Sequence, residues 1–232
     1  MAKRTTPWKE GKVISIETRK GIFVLAQMLK SPYLRFYKAF REDENWGKID
    51  VSIFETLFTK SITTKSFLKH SNVSVIKDAI PDLEREDSKI WIKNKSGHRK
   101  VKVWEGKENE KEFYTLGEEV GGSLVEMDLE WSPTPSQPVR AHISGVVDSV
   151  LVENIPLNNN DVINEHELIG LGVYPLMNER LYLCYKYDKN VDPLKDIIFN
   201  REIPEDYKIA IEIMSGGGGK ENKEKILDTY FR

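Results

Sequence analysis

Trp8-Lys9-Glu10-Gly11-Lys12-Val13-Ile14-Ser15-Ile16-Glu17, then Arg19-Lys20-Gly21, then Ile22-Phe23-Val24-Leu25-Ala26-Gln27-Met28-Leu29, is the stretch that decides the fold. Both arms are built of β-branched and aromatic residues, which suit a pleated surface, and the glycine between them permits a tight turn. The pair reads as a β-hairpin. Tyr33, Phe36, Tyr37 and Phe40 follow at i, i+3, i+4 and i+7, with Ser31-Pro32 placed as a helix cap and first-turn proline. The same run is dense in aromatics, so a third strand over Tyr33–Arg41 is favoured over a helix.

Further along, Asp50 is placed to cap a helix over Val51–Phe58, where Ile53/Leu57 and Phe54/Phe58 lie four apart. Val73–Ile76 reads as a strand, and Pro81–Asp87 as a polar loop or short helix. Lys89–Ile92 and Lys100–Trp104 read as the arms of a second hairpin joined through Lys93–Gly97, with Trp91 and Trp104 on either side of the turn. From Val125 to Trp131 apolar and polar residues alternate, the pattern of a half-buried strand.

Ser132-Pro133-Thr134-Pro135-Ser136-Gln137-Pro138 is the best candidate linker. It divides the chain into a β-rich domain over 1–131 and a second β-rich half over 132–232, either a separate domain or the same one continued. In that half, strands are expected at Val146–Val152 and Arg180–Tyr187, with a turn at Asn158–Asp161. A joint at Gly216–Gly219 and a short helix at Lys220–Tyr230 are expected to follow. The expected fold is α+β and β-rich: an antiparallel sheet or partly open barrel with a few short helices.

The chain has 232 residues, 39% hydrophobic and 31% charged, enough to bury a core. A formal net charge of −2 argues against a strong overall pull toward nucleic acid or anionic membrane. No apolar run is long enough to span a bilayer, and Met1-Ala2-Lys3-Arg4 leads into polar residues and Pro7 rather than a signal core, so a cytoplasmic protein is expected. Cys184 is the one cysteine. It excludes an intramolecular disulfide and any cysteine-rich metal site, and its apolar neighbours read as an inert buried thiol.

Four histidines, His70, His98, His142 and His166, stand apart, with no paired-histidine spacing, so no metal ligand set is expected. Asn164-Glu165-His166-Glu167 sets a histidine between two carboxylates that could orient it as a base, against a plainer reading as a solvated loop. Gly216–Gly219 before Lys220 lacks the spacing of a phosphate cradle, and Gly170-Leu171-Gly172 lacks a third glycine. No catalytic set and no cofactor is expected.

Two surfaces remain. Tyr33, Arg35, Tyr37 and Lys38 interleave aromatics with cations, the composition of a nucleic-acid stacking surface on a β-barrel. Against it stands the near-neutral charge. Between Glu105 and Glu126 there are seven acidic residues (Glu105, Glu108, Glu110, Glu112, Glu118, Glu119, Glu126) against Lys107 and Lys111. Glu153, Asp161, Glu165 and Glu167 form a second acidic run without lysine or arginine. Such segments would complement a basic protein partner.

The opening stretch resembles the start of the immunity protein 26 family of bacterial polymorphic toxin systems. There a Lys-x-Gly-Asp-type step precedes the first strand, a glycine marks the hairpin, and an Ala/Gly-Gln-Val-Leu-like end closes the second strand. Lys9–Lys12, Gly21 and Ala26-Gln27-Met28-Leu29 follow that outline, with Lys12 where an acidic residue is more usual and Met28 where valine is. The resemblance covers about the first hundred residues. It implies that Tyr33–Phe40 is a third, aromatic strand, and that the protein is a non-enzymatic inhibitor whose partner is a cognate toxin domain. The acidic segments are then the expected toxin contacts.

Overall fold

The computed structural model describes residues 6–19, 21–129 and 146–216. Along the chain run β1 (Val13–Glu17), β2 (Phe23–Met28), β3 (Tyr33–Arg41), β4 (Ile49–Asp50), β5 (Thr56–Ser61), α1 (Thr64–His70), β6 (Asn72–Val75), β7 (Ala79–Ile80) and β8 (Ile90–Asn94). Then come β9 (His98–Val103), β10 (Lys111–Leu116), β11 (Gly122–Asp128), β12 (Val146–Val152), α2 (Asn160–Glu165), β13 (Glu167–Leu168), α3 (Leu176–Tyr187), α4 (Pro193–Ile198) and α5 (Lys208–Ser215). The fold is α+β and β-rich, built mainly on antiparallel sheets with a few short helices, with no closed barrel among the described residues. No helix among them is long and apolar enough to cross a membrane.

The chain forms two compact units, with the chain passing between them at Ser88/Lys89, Asp128/Leu129 and three later points. Gly170–Asn190 joins the first unit, so the units are interleaved in sequence. The Ser132–Pro138 linker, His142 and the helix expected at Lys220–Tyr230 lie outside the described residues.

In the first unit, β5-β3-β2-β1-β6 make an antiparallel sheet. The hairpin pairs Ile14 with Ala26 and Ile16 with Val24, and Tyr33–Arg41 is indeed the third strand. β1 and β2 are buried almost without alternation, because both faces of the sheet are covered. On one face Val13, Leu25, Tyr37, Ala39, Trp46 and Val51 form an apolar cluster, with the Trp46 indole N–H donating to Ser15 Oγ at 2.8 Å. On the other, the Arg180 guanidinium of α3 lies 3.8 Å from the centre of the Phe58 ring.

Two expectations fail here. Asp50 does act as a cap, its Oδ1 accepting from Ser52 N at 3.0 Å, but it caps only the single turn Val51–Ile53. From Thr56 the chain pairs with β3, setting Phe36 against Phe58 with ring centres 4.9 Å apart. Apolar residues four apart satisfied a helix pattern that long-range pairing overrode. Arg180–Tyr187 is helix, not strand. Its residues favour strands by type, yet Met177, Leu181 and Cys184 fall on one buried helical stripe, and Asp188 closes the helix in the left-handed conformation.

In the second unit, β12-β11-β8-β13 form a mixed sheet and β9 pairs with β10. The expected hairpin of β8 with β9 is not made. β8 pairs antiparallel with β11, Trp91 opposite Val125, and parallel with β13. Gly97, at φ +86°, turns the chain away, and its carbonyl accepts from Gly117 N at 2.8 Å, which starts the β9–β10 ladder. Asn159 caps α2 rather than merely turning, its Oδ1 accepting from Val162 N at 3.3 Å. Ile92, Leu124, Ile163, Leu168, Ile198 and Phe199 form the core of this unit.

Candidate interaction surface

The residues of the opening stretch build scaffold. The Trp8 indole donates to Leu29 O at 2.9 Å, and Gly11 N to Met28 O at 2.8 Å. Gly11 sits at φ +77°, a conformation that calls for glycine. Gln27 hydrogen-bonds the backbone of Asp82 in both directions at 2.8 Å, and accepts from Tyr37 OH at 3.0 Å. Arg35 grips Asp87 through two N–H groups and donates to the Asp82 and Arg85 carbonyls. Burial works against the charged guanidinium, but the hydrogen bond and charge of Asp87 raise its pKa above the ordinary value. Together these bonds lash the segment 82–87 across one sheet face.

The stacking surface expected at Tyr33, Arg35, Tyr37 and Lys38 is therefore corrected. Tyr33, Arg35 and Tyr37 are buried, and burial pushes both phenols up. Lys38 is half-exposed and ion-paired with Asp188 at 3.0 Å. Tyr33, Arg35 and Tyr37 are thus core residues, not open to bases for stacking.

The β9–β10 hairpin is different. His98–Val103 and Lys111–Leu116 alternate, so Val101, Val103, Phe113 and Thr115 turn inward and pack beneath α5, which buries Ala210 and Ile211. The other face carries Lys100, Lys102, Glu112, Tyr114 and Leu116. Tyr114 is 70% exposed and Leu116 49%. Tyr114 stands opposite Lys100, whose Nζ lies 2.6 Å from Glu112 Oε1. That hydrogen bond raises the Lys100 pKa and lowers that of Glu112.

Several acidic residues of this segment are partly neutralised. Lys102 Nζ is 3.8 Å from Glu105 and 4.0 Å from Glu110, and Lys95 is 3.9 Å from Glu119. Lys107 and Lys111 reach instead to Glu205 and Glu212, at 3.0 and 3.4 Å. Glu108 and Glu118 are exposed and make no ion pair among the described residues. Trp104 follows β9 at φ 56°, an uncommon conformation for a bulky residue, held by its indole N–H donating to Ile203 O at 2.8 Å. The face carries exposed Tyr114 and Leu116 beside the Lys100–Glu112 pair, with further glutamates in the turns that flank the strands.

The second acidic run divides. Glu153, Asp161 and Glu165 face solvent. Glu167 does not: it opens β13, is buried, and lies 3.9 Å from buried Lys195, whose Nζ also donates to His166 O at 2.9 Å. Glu167 is thus a core ion pair and is withdrawn as a contact residue. His166 Nε2 lies 3.9 Å from Glu165 Oε2. No cluster of histidine, cysteine or carboxylate groups among the described residues is arranged to hold a metal ion.

Tyr114 and Leu116 carry the surface, and the charge count alone passes over them. Their signal is the alternation in Lys111–Leu116, which puts Phe113 and Thr115 on the face opposite Tyr114.

No curated protein and no solved structure matches the chain. A family model described as Domain of unknown function (DUF8309) matches residues 2–203, most of the chain. The chain belongs to the DUF8309 family.

Proposed function

We propose that the chain is an immunity protein: a cytoplasmic, non-enzymatic inhibitor that binds one cognate domain of a bacterial polymorphic toxin and blocks its active site or substrate access. The observation that carries this reading is the outer face of β9 and β10, where Tyr114 and Leu116 are exposed and the flanking turns carry exposed glutamates. Protein interfaces have that anatomy, an aromatic or apolar centre with a charged margin. Glu108 and Glu118 keep uncompensated negative charge in those turns, suited to a basic partner, and toxins acting on polyanions are basic. The resemblance of Trp8–Leu29 to immunity protein 26 supports the same class. The test is co-expression with the toxin domain encoded by the adjacent upstream gene. Growth should be restored by the full chain and lost again with Tyr114→Ala plus Glu108→Lys and Glu118→Lys. Failure of the unaltered chain to restore growth would count against the proposal.

A further inference from the structure

The segment 82–87 of the first unit sorts its side chains by direction. Asp82, Arg85 and Asp87 turn toward the sheet and carry the bonds that hold it. Arg85 closes on Asp82 twice, its backbone N donating to Oδ1 at 3.1 Å and its Nε lying 2.8 Å from Oδ2. The same guanidinium donates to Phe54 O at 2.9 Å, to Thr56 Oγ1 at 2.8 Å and to Ser52 O at 2.8 Å. Gln27 and Arg35 grip Asp82 and Asp87 from β2 and β3. The segment is thus fixed at both ends and in the middle, and the turn Val51–Ile53 is tied to it through Arg85.

The side chains that remain face solvent. Leu83 is 71% exposed, and Ile53, between the two carbonyls that Arg85 holds, is 74% exposed. Ile80, in register with Asp50, is 48% exposed. Loops are ordinarily the mobile part of a fold, and a leucine in water gains nothing from being held still. Holding it still lowers the conformational entropy lost when a partner covers it.

The surrounding charge decides the kind of partner. Residues 50–59 and 78–88 contain seven acidic side chains and a single cation, Arg85, whose guanidinium is engaged inward. Asp82 and Asp87 are paired with arginines. Glu55, Glu84 and Glu86 are exposed and make no ion pair among the described residues. Uncompensated carboxylates repel nucleic acid and anionic membrane, and they complement a basic protein surface. The exposed leucine and isoleucine require that this surface also offer an apolar pocket.

We propose that Ile53 and Leu83, with Glu55, Glu84 and Glu86, form a second contact surface for a basic protein partner, with Leu83 as the apolar anchor on a pre-set loop. Taking the toxin domain as that partner rests on the immunity reading. The surface shares no residue with the β9–β10 face.

Calorimetric titration of the full chain with the toxin domain encoded immediately upstream tests this. Leu83→Asp should weaken binding by at least about tenfold, whereas Leu83→Met, which keeps bulk and apolarity, should bind like wild type. Glu84→Lys together with Glu86→Lys should also weaken binding, by a factor that shrinks as salt rises. These side chains are exposed, so urea midpoints should stay at the wild-type value, which separates a lost contact from a lost fold. Wild-type binding left intact by Leu83→Asp, or by the double reversal, would overturn this surface and leave the immunity reading standing. No binding by the wild-type chain would overturn both.

Discussion

Arg35 holds Asp87 by two parallel hydrogen bonds, Nε to Oδ1 at 3.1 Å and Nη2 to Oδ2 at 2.8 Å, and Thr59 Oγ1 donates to the same Oδ1 at 2.7 Å. A strand residue thereby fixes a loop more than fifty positions later, and Gln27 and Tyr37 repeat the arrangement beside it. The polar network is satisfied on the sheet face where it is buried, so it acts as a clasp.

Breaking the clasp from one side should be costly. Arg35→Met leaves Asp87 without its ion-pair partner and is expected to destabilise by about 3–5 kcal/mol. Gln27→Ala removes three hydrogen bonds and is expected to cost about 2–4 kcal/mol. Urea unfolding midpoints measure both. Losses below about 1 kcal/mol would mean that the segment 82–87 is not held this way.

Asp196 accepts from Tyr207 OH at 3.0 Å and lies 3.3 Å from Arg201 Nη1, yet burial holds its carboxyl above the usual aspartate range. Between its ordinary and its raised pKa the folded chain keeps a proton that the unfolded chain has released. Rising pH through that window therefore favours unfolding, and the stability tied to the proton is present below it and lost above it. Asp196→Asn is neutral at every pH and lacks this slope. The advantage of wild type over Asp196→Asn should shrink as pH rises through that window, as read from urea midpoints over a pH series. An advantage that grows with pH would contradict the burial account.

The strands of the first unit were legible because Ile14, Ile16, Val24 and Tyr33–Arg41 state a local preference that the sheet then uses. What failed had a non-local cause. Leu57 and Phe58 suit a helix until β3 is available to pair with them, and Leu181–Tyr185 suit a strand until two sheet faces need cover. Pairing of β8 with β11 depends on the turn at Gly97, whose direction no alternation encodes. At the candidate surface, charge could be counted but its compensation could not. Lys95, Lys100 and Lys102 reach glutamates across turns and strands, and Glu167 meets Lys195 in the core, both set by tertiary structure.

Long-range charge on the hairpin face should act mainly on the rate of capture. Reversal of Glu105, Glu108, Glu118 and Glu119 to lysine should slow toxin association by tenfold or more at low salt, about the scale expected for lost steering, with the difference fading as salt rises. Stopped-flow association at a series of ionic strengths reads this out. Reversal at Glu153, Asp161 and Glu165 provides the comparison. Rates unchanged by both sets would remove the acidic segments from the interface while leaving the inhibitory role open.

The proposed inhibition requires that the chain bind a toxin domain through Tyr114 and its surroundings. Isothermal titration calorimetry with the toxin domain encoded immediately upstream tests it most directly. The wild-type chain is expected to bind with nanomolar or tighter affinity. Tyr114→Ala is expected to lose at least about 30-fold while leaving stability within about 0.5 kcal/mol. No binding by the wild-type chain, or full affinity in Tyr114→Ala, would contradict it.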